Sequence, residues 1–495
     1  MTVIDEDQAA GHIHGICLKT GPPRRTGVEL EWLVRDVRDP ALPVTARRLA
    51  SAVAVFGAAE RGWGDPDGNR EAPDPGRGKQ NRGPRDREKP DRGARDRGDR
   101  GQDGLNGKSP DERGRDRRDG ERRDWPELPT STRPGRLPSG ALLTTEPGGQ
   151  LELSSQPADS LAGLVDATTG DLAVLRAALA VDGLELTGIG LDPLRLPQRV
   201  LHLPRYAAME EFFDRGGPWG RQMMCGTASV QVCLDAGDDS DGPGGYRWRW
   251  RLLHAVGPVL VAAFANSPLR DGRPTGWASS RQQVWTLMDP RRTRPPDLDD
   301  DLRAAWASYA LDADLMCVRN PDSADWSAPP GLTLRDWIRA GLRGSSRGQP
   351  RHPTTSDLEY HLSTLFPPVR PRGHFELRMI DAQPGDGWIV PLAVSAGLLA
   401  DAAAGEAALA ALAPVWDGHR AGDGASIEPW VRAARSGPAD PAIGQASREC
   451  FAAAREALDR MAVPASITAA VDAFCEQYVS KDRCPADDLL EGKVV

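Results

Sequence analysis

Apolar and acidic residues alternate in a short stretch near the start of the chain. The run 27–34, GVELEWLV, places Glu29 and Glu31 two residues apart between apolar neighbours. Because alternate residues of a β-strand face the same side, the pattern predicts a strand with both carboxylates on one face and an apolar face opposite. Acids on a buried strand are costly unless something neutralises them, so this segment fits either a half-exposed strand with solvated acids or a cation site.

Three further segments place polar residues on one face in the same way. QLELS carries Glu152 between two leucines, and HFELRMID carries Glu376 and Arg378 two residues apart. TASVQVCLD sets Thr227, Gln231 and other polar residues opposite its valines. Four such segments predict strands of one sheet whose polar face lines a site.

Helical periodicity dominates the rest of the globular sequence. It predicts helices at 43–56, 160–181, 205–213, 246–265, 332–342, 356–362, 389–412, 445–461 and 464–479. A further short strand is expected at 183–191. Polar-faced strands separated by helices are typical of an α+β fold, here a twisted, mostly antiparallel sheet with helices packed on its outer face.

The composition changes sharply at 61–124. This segment is almost without aliphatic residues and is rich in Arg, Asp, Gly and Pro. It cannot bury enough apolar surface to offset the entropy of ordering, so we expect a disordered, solvated insert. The predicted catalytic domain therefore comprises 1–60 and 125–495. Acids alternate almost one for one with the arginines, which disfavours nucleic-acid binding by the insert.

Charge and cysteine usage indicate an ordinary cytoplasmic protein. The formal charge of −9 over 495 residues favours small-molecule chemistry over nucleic-acid partners. The acidic, polar start is unlike a secretory leader, and the apolar run 388–400 is too short to span a bilayer. Seven scattered cysteines without a CxxC pair are typical of reduced thiols.

The candidate chemistry favours magnesium. Several carboxylates suit this hard cation, whereas few and scattered histidines disfavour zinc. His12 and His14 of GHIHG could bind a metal, but a flexible terminus is the expected interpretation. The P-loop pattern is absent, and GIGLDP at 188–193 is interpreted as a strand end and turn. Arg281 and Arg205 could each hold a substrate carboxylate bidentately or form a surface ion pair.

Seven motifs in order give the chain a family resemblance. They are GVELEWLV, TTEPGGQLELSSQP, LPRYAAM, MMCGTASVQVCLD, FANSPLRDGRPTGWASSRQQVW, YALDADLM and HLSTLFPPVRPRGHFELRMID. Together they resemble the glutamate–cysteine ligase family of the plant and proteobacterial type, in particular its actinobacterial, ergothioneine-pathway branch. The resemblance implies a glutamine-synthetase-like carboxylate–amine ligase fold with ATP and Mg²⁺ on the polar face of the sheet.

The resemblance also implies a reaction. ATP would phosphorylate the γ-carboxylate of L-glutamate, and the amine of L-cysteine would attack the γ-glutamyl phosphate to give γ-glutamylcysteine. A ligase of the same fold that joins glutamate to a different amine is the alternative. The plant enzymes carry a Phe–Arg pair where this chain has Cys225 and Gly226, and their regulatory cysteine pair has no counterpart here, so no disulfide switch is expected.

Individual residues take their roles from the same resemblance. The expected metal ligands are acids of the polar-faced strands, namely Glu29, Glu31, Glu152 and Glu376. Glu376 and Arg378 are the expected catalytic residues, with Arg378 and Gln231 at the nucleotide phosphates. The expected substrate-binding residues are Arg205, Arg281, Met223, Met224 and Thr227.

Overall fold

The computed structural model describes residues 3–57, 135–296, 301–320, 322–342, 350–417 and 426–492. The insert predicted at 61–124 lies outside these residues, so its expected disorder stays a prediction. The described residues form one main antiparallel sheet, a small hairpin and many helices, which confirms the predicted α+β class.

The strands of the described residues are β1 (Thr26–Asp36), β2 (Gly135–Arg136), β3 (Leu142–Thr145), β4 (Leu151–Ser154), β5 (Leu184–Thr187), β6 (Ser229–Leu234), β7 (Leu269–Arg270), β8 (Arg273–Pro274), β9 (Val369–Pro371) and β10 (Phe375–Asp381). The α-helices are α1 (Glu6–Cys17), α2 (Ala46–Val53), α3 (Leu161–Val181), α4 (Pro204–Asp214), α5 (Trp219–Gly226), α6 (Tyr246–Ala263), α7 (Ser280–Met288), α8 (Pro290–Thr293), α9 (Leu302–Asp312), α10 (Leu334–Ala340), α11 (Thr355–Leu362), α12 (Ile389–Ala400), α13 (Ala402–Leu412), α14 (Glu428–Ser436), α15 (Pro441–Arg460), α16 (Ala465–Gln477) and α17 (Pro485–Leu490).

The long strand β1 lies at the centre of the main sheet. The strand order is β2–β3–β4–β1–β6–β10–β9, and β5 pairs with the end of β1. All of these pairings are antiparallel. Because β1 is paired on both sides, its register fixes which side chains share a face across four neighbouring strands.

One face of the sheet belongs to the hydrophobic core. Val28, Leu30 and Trp32 of β1 are nearly fully buried there, together with the alternate apolar residues of β4, β6 and β10. Helix α6 packs on β10, α12 packs on β6, and α3 packs on β1 and β5. The helices predicted on the outer face of the sheet are therefore present, and the acids of β1 project to the opposite side.

The polar face is covered as well. Helix α5 packs against α4 and against α7, and side chains of the three helices form a second apolar cluster that includes Met209, Met223 and Trp285. Side chains of this cluster line a cavity together with polar residues of the sheet. Helices thus lie on both sides of the sheet, and the cavity lies on the polar side.

The predicted helices are confirmed apart from one interruption. The segment 389–412 is two helices, α12 and α13, that meet at an angle of 103°. Asp401 breaks the helix because its backbone is extended and its side chain accepts a hydrogen bond from the amide of Ala404, which starts α13. No single helix of the described residues is long and apolar enough to cross a membrane; only this bent pair reaches that length and composition together.

The expectation of a flexible N-terminus is wrong. The segment that contains GHIHG forms α1, which begins with a capping box between Asp5 and Gln8. His12 Nε2 lies 2.7 Å from Glu359 Oε1 of α11, and Ile13 is fully buried in a cluster with α9. The histidine spacing is therefore that of an amphipathic helix docked on the domain.

Candidate active site

Four strands bring the predicted polar residues onto one face. In the ladder, Glu31 lies directly opposite Glu152, Glu29 lies opposite Gln231, and Glu376 lies opposite Cys233. Directly opposed residues share a face of the sheet. The predicted placement of the acids on one face is therefore confirmed.

Glu31 is tied to the neighbouring strand by two hydrogen bonds. Ser229 Oγ donates to Glu31 Oε2 at 2.8 Å, and Gln231 Nε2 donates to Glu31 Oε1 at 2.8 Å. The side-chain oxygen of Gln231 accepts a hydrogen bond from Arg378. Gln231 therefore connects an acid of β1 to the arginine of β10 and fixes the distance between them.

Glu376 is held by arginines. Arg370 of β9 donates through Nε and Nη2 at 3.0 and 2.8 Å, and Arg378 donates to the same carboxylate. Burial would raise the pKa of Glu376, but the two arginines outweigh it and hold the pKa below its usual range. Glu376 is thus a charged anchor for two guanidinium groups. Sequence reasoning did not identify Arg370, although its position across the β9–β10 pairing places it opposite Glu376.

The remaining acids of the face are poorly neutralised. Desolvation, together with repulsion from Glu376 and Glu152, raises the pKa of Glu29 to about 8. Desolvation and repulsion from Glu31 raise the pKa of Glu152 to about 6. The pKa of Glu31 is also raised by desolvation, although Arg281 and Arg378 partly offset it. A bound cation would favour the ionised form of each of these crowded carboxylates.

A further acid at this face, Glu146, was missed by sequence reasoning. It lies in the turn EPGGQ between β3 and β4, where its amide donates to Gln150 O at 2.8 Å. Desolvation and repulsion from Glu152 and Glu31 raise its pKa well above the usual value. The only signal in the sequence was its position six residues before Glu152, and a residue of a turn has no strand or helix periodicity.

The cavity lies where the polar face meets α4, α5 and α7. Its volume is about 180 Å³, less than the roughly 300–1,000 Å³ of sites for drug-sized ligands, so it suits one small molecule. It is lined by Glu31, Glu146, Pro147, Gln150, Arg205, Tyr206, Met209, Met223, Met224, Thr227, Arg281, Trp285, Phe366 and Arg378. All five residues predicted to bind substrate are in this lining.

Arg281 lines this cavity and carries buried donors without a partner. Its side chain is 1% exposed, stacks 4.4 Å from the centre of the Trp285 ring, and donates through Nη2 to Arg378 O at 2.8 Å. Its Nε and Nη1, the indole nitrogen of Trp285 and Nε of Arg378 are buried without a hydrogen-bond partner. A buried unsatisfied donor costs about 1–3 kcal/mol, so an anion that accepts these hydrogen bonds would recover that cost.

Arg205 lines the same cavity but is already engaged. It donates to Oγ and O of Ser363 at 3.0 and 3.1 Å and stacks 5.0 Å from the centre of the Tyr360 ring. Thr227 is likewise used locally, because its hydroxyl donates to Met223 O at 2.6 Å. The guanidinium group of Arg205 therefore adds positive charge to the cavity wall, whereas Arg281 retains buried donors without a partner.

The acids fit magnesium by their chemistry. In the described part of the chain, no three His, Cys, Asp or Glu side chains are grouped as the ligands of a bound metal would be. However, Glu29, Glu31 and Glu152 provide oxygen donors on adjacent strands, and their pKa values are raised by desolvation and by repulsion among the acids. Glu376 differs, because its carboxylate already accepts from two arginines. Its metal-ligand role stays a prediction.

The sequence places this fold and site in a known class. The profile of the glutamate–cysteine ligase family 2 matches residues 122–493. The chain therefore belongs to that family, as the ordered motifs predicted.

Its relatives include mycobacterial and plant enzymes. The glutamate–cysteine ligase EgtA of Mycobacterium tuberculosis strain H37Rv is 40% identical over 368 residues, which cover 72% of this chain and 78% of that protein. EgtA of Mycolicibacterium smegmatis is 41% identical over 72% of this chain and 79% of its own length. The chloroplastic glutamate–cysteine ligase of Medicago truncatula is 33% identical over 53% of this chain and 51% of that protein.

The chain also matches solved structures. The glutamate–cysteine ligase of Francisella tularensis, in complex with AMP, matches 96% of this chain and 85% of that chain, with a TM-score of 0.47 and 11% identity. The family assignment rests on the sequence matches and not on this likeness.

Proposed function

We propose that this chain joins the γ-carboxylate of L-glutamate to the amine of L-cysteine at the expense of ATP, and that γ-glutamylcysteine feeds ergothioneine biosynthesis. The proposal rests on family membership and on 40% identity to the mycobacterial ligase EgtA. The observation that carries it is a small cavity lined by Arg281 and Trp285, whose buried N–H groups lack partners, beside a sheet face that holds several carboxylates with raised pKa values. The first feature suits an amino-acid anion and the second suits the metal of a nucleotide.

Glutamate is placed in the cavity by its charges. Arg281 and Trp285 hold one carboxylate of the substrate through their unpartnered N–H groups. Met223 and Met224 contact its methylene groups, and Arg205 adds positive charge at the far wall. The γ-carboxylate then points towards Arg378 on the sheet.

Phosphoryl transfer takes place beside Arg378. An oxygen of the γ-carboxylate attacks the terminal phosphorus of ATP, the bond to the bridging oxygen breaks, and ADP leaves. Arg378 is held by Glu376 and Gln231 and stabilises the negative charge on the transferred group. The amine of cysteine then attacks the acyl carbon, and inorganic phosphate leaves.

The acids hold magnesium in this proposal. Glu29, Glu31 and Glu152 would hold the ion, with Glu146 close to them at the edge of the cavity. When bound, Mg²⁺ supplies charge neutralisation for the phosphate oxygens. The raised pKa values of these acids imply that metal affinity increases with pH between about 6 and 8, as the carboxyl groups lose their protons.

An ADP-release assay on the full chain tests the activity. ADP release that requires glutamate, cysteine and Mg²⁺ together is the expected result. Alanine, 2-aminobutyrate and other amines replace cysteine in parallel reactions. A faster rate with another amine would favour the alternative ligase, and no ADP release with any amine would overturn the proposal.

Two variants test the site, with a matched control. Glu31→Gln removes one acid from the metal set, and Glu376→Gln removes the anchor of Arg370 and Arg378. Each is expected to lower kcat at least about 100-fold, as when a group that stabilises developing charge is lost. Glu185→Gln changes a half-exposed strand glutamate that pairs with Arg35 away from the cavity and should retain full activity. Full activity of both site variants would contradict the assignment.

A further inference from the structure

Arg281 is backed by a buried carboxylate on the side away from the cavity. Asp381, at the end of β10, is 1% exposed and lies 3.9 Å from Arg281 Nη1. Its Oδ2 accepts from the amide of Asn266 at 2.9 Å and from Ser267 Oγ at 2.7 Å. Its Oδ1 accepts from Ser279 Oγ at 3.0 Å. Asp381 is absent from the cavity lining, so it does not reach a substrate there.

Two serine hydroxyls connect this carboxylate to the start of α7 through hydrogen bonds. Ser267 Oγ accepts from the amide of Arg281 at 3.1 Å, and Ser279 Oγ caps the helix by accepting from the amide of Gln282 at 3.1 Å. A hydroxyl has one proton to donate, and both serines donate theirs to Asp381. The carboxylate therefore orients both hydroxyl groups. Each serine oxygen is left free to accept a hydrogen bond from a backbone N–H group of the helix. Arg281 is held through its backbone as well as through its charge.

Two glycines close this network from the other side. A Cβ atom on Gly190 would lie 2.5 Å from Cγ of Asp381, and one on Gly188 would lie 2.0 Å from Gln383 O. The side-chain nitrogen Nδ2 of Asn266 donates to Gly188 O at 2.7 Å, which fixes the glycine segment in place. The two glycines of GIGLDP are therefore required because a larger residue would clash with Asp381 or with the adjacent backbone. The fit leaves no room for the carboxylate to move away from the serines.

We infer that Asp381 is a positioning residue that sets Arg281, through Ser267, Ser279 and its own charge, for binding the substrate carboxylate. The inference rests on the proposed function, because it assigns Arg281 to glutamate. Asparagine has the shape of aspartate, but it replaces one acceptor by a donor. In an Asp381→Asn variant one serine must accept from the new donor instead of donating to a carboxylate oxygen, so its hydroxyl proton loses its partner and the hydroxyl turns relative to the helix amide that it accepts from.

Steady-state kinetics of ADP release tests the inference. Asp381→Asn is expected to raise KM for glutamate about tenfold or more, whereas KM for ATP changes less than about twofold. Asp401→Asn is the matched control, because Asp401 also caps a helix and pairs with an arginine, Arg460, but lies outside the site. It should leave both KM values unchanged.

A second variant reaches the same network without altering its charge. Gly190→Ala pushes a methyl group onto Asp381 and should also raise KM for glutamate selectively, whereas Gly170→Ala, with open space around the new methyl group, should not. If Asp381→Asn does not fold, glutamate KM and thermal melting of Gly190→Ala and its control Gly170→Ala test whether Asp381 positions Arg281. Wild-type glutamate KM in the folded variants would overturn the inference while leaving the ligase proposal intact. Absence of glutamate-dependent ADP release from the wild type would instead overturn the ligase proposal.

Discussion

The carboxylate of Glu29 lowers the stability of the folded protein when it ionises, and it is also a proposed metal ligand. Its pKa is about 8 in the folded protein and near 4.5 in an unfolded chain. The folded protein therefore keeps a proton that the unfolded chain releases between these values, and the stability that the protonated group confers is lost as the pH rises towards 8. A residue placed for ligand binding commonly has this effect on stability.

Glu29→Gln should separate the two effects. Without Mg²⁺, the variant is expected to melt a few degrees above the wild type at pH 8 and at the same temperature as the wild type at pH 5, because glutamine does not ionise. Melting curves across this pH range give the measurement, and ADP release should be lost throughout. A difference in Tm that does not vary with pH would contradict the raised pKa of Glu29.

Residues of the site differ in how far sequence could predict them. Glu31 and Glu376 were predictable because strand alternation fixes the face of a side chain from its position alone. Glu146 lies in a turn, where position does not determine direction. Arg370 was missed because its role depends on the pairing of β9 with β10, which is a contact between strands and has no local signature. The engaged state of Arg205 likewise depends on Ser363, far along the chain.

At the scale of elements, the turn between β3 and β4 joins the sheet to the cavity. A Cβ atom on Gly148 would lie 2.2 Å from the carbonyl oxygen of Cys225, at the end of α5. The turn can therefore approach α5 only with glycine at this position. Gln150 of the same turn also contacts the end of α5, because its side-chain amide donates to Met224 O at 3.3 Å and to Thr227 O at 2.9 Å.

Gly148→Ala tests this contact. The methyl group must push the turn away from α5 and displace Glu146, so a loss of about tenfold or more in kcat/KM for glutamate and a lower Tm are expected. Gly11→Ala, in α1 with open space around the new methyl group, serves as the control and should match the wild type. Kinetics and melting curves that match those of the wild type would show that the approach is not as close as described.

The elements themselves were largely predictable, and the exceptions have physical causes. The long helix α3 follows from burial of one helical stripe, whereas α6 is buried on nearly all sides and follows from its length and apolar content. The break between α12 and α13 occurs inside an apolar, alanine-rich run, where Asp401 could be read as an exposed residue of one helix. Asp401 pairs with Arg460 of α15 and caps α13. Hydrophobic periodicity predicts neither of these interactions. Helix α1 was missed because its short polar sequence resembled a terminus.

At the scale of the whole molecule, the residues of the site belong to described parts of the chain on both sides of 61–124. Replacing 61–124 by a flexible linker of about ten residues is therefore expected to leave ADP release and Tm close to those of the full chain. Both are measured on the deletion variant and the full chain side by side. A folded deletion variant with strongly reduced activity would instead assign the insert a part in catalysis.

The edge position of β2 has a consequence for how this protein can change over evolution. β2 is the outermost strand of the sheet, and the sequence from 58 to 134 joins it to the segment that contains α2. Residues inserted there precede the edge strand of the sheet and do not change the register of β3, β4, β1 and β6. Homologues can thus gain or lose long segments at this junction without moving an acid, and length differences among them should concentrate there and not between β3 and β4.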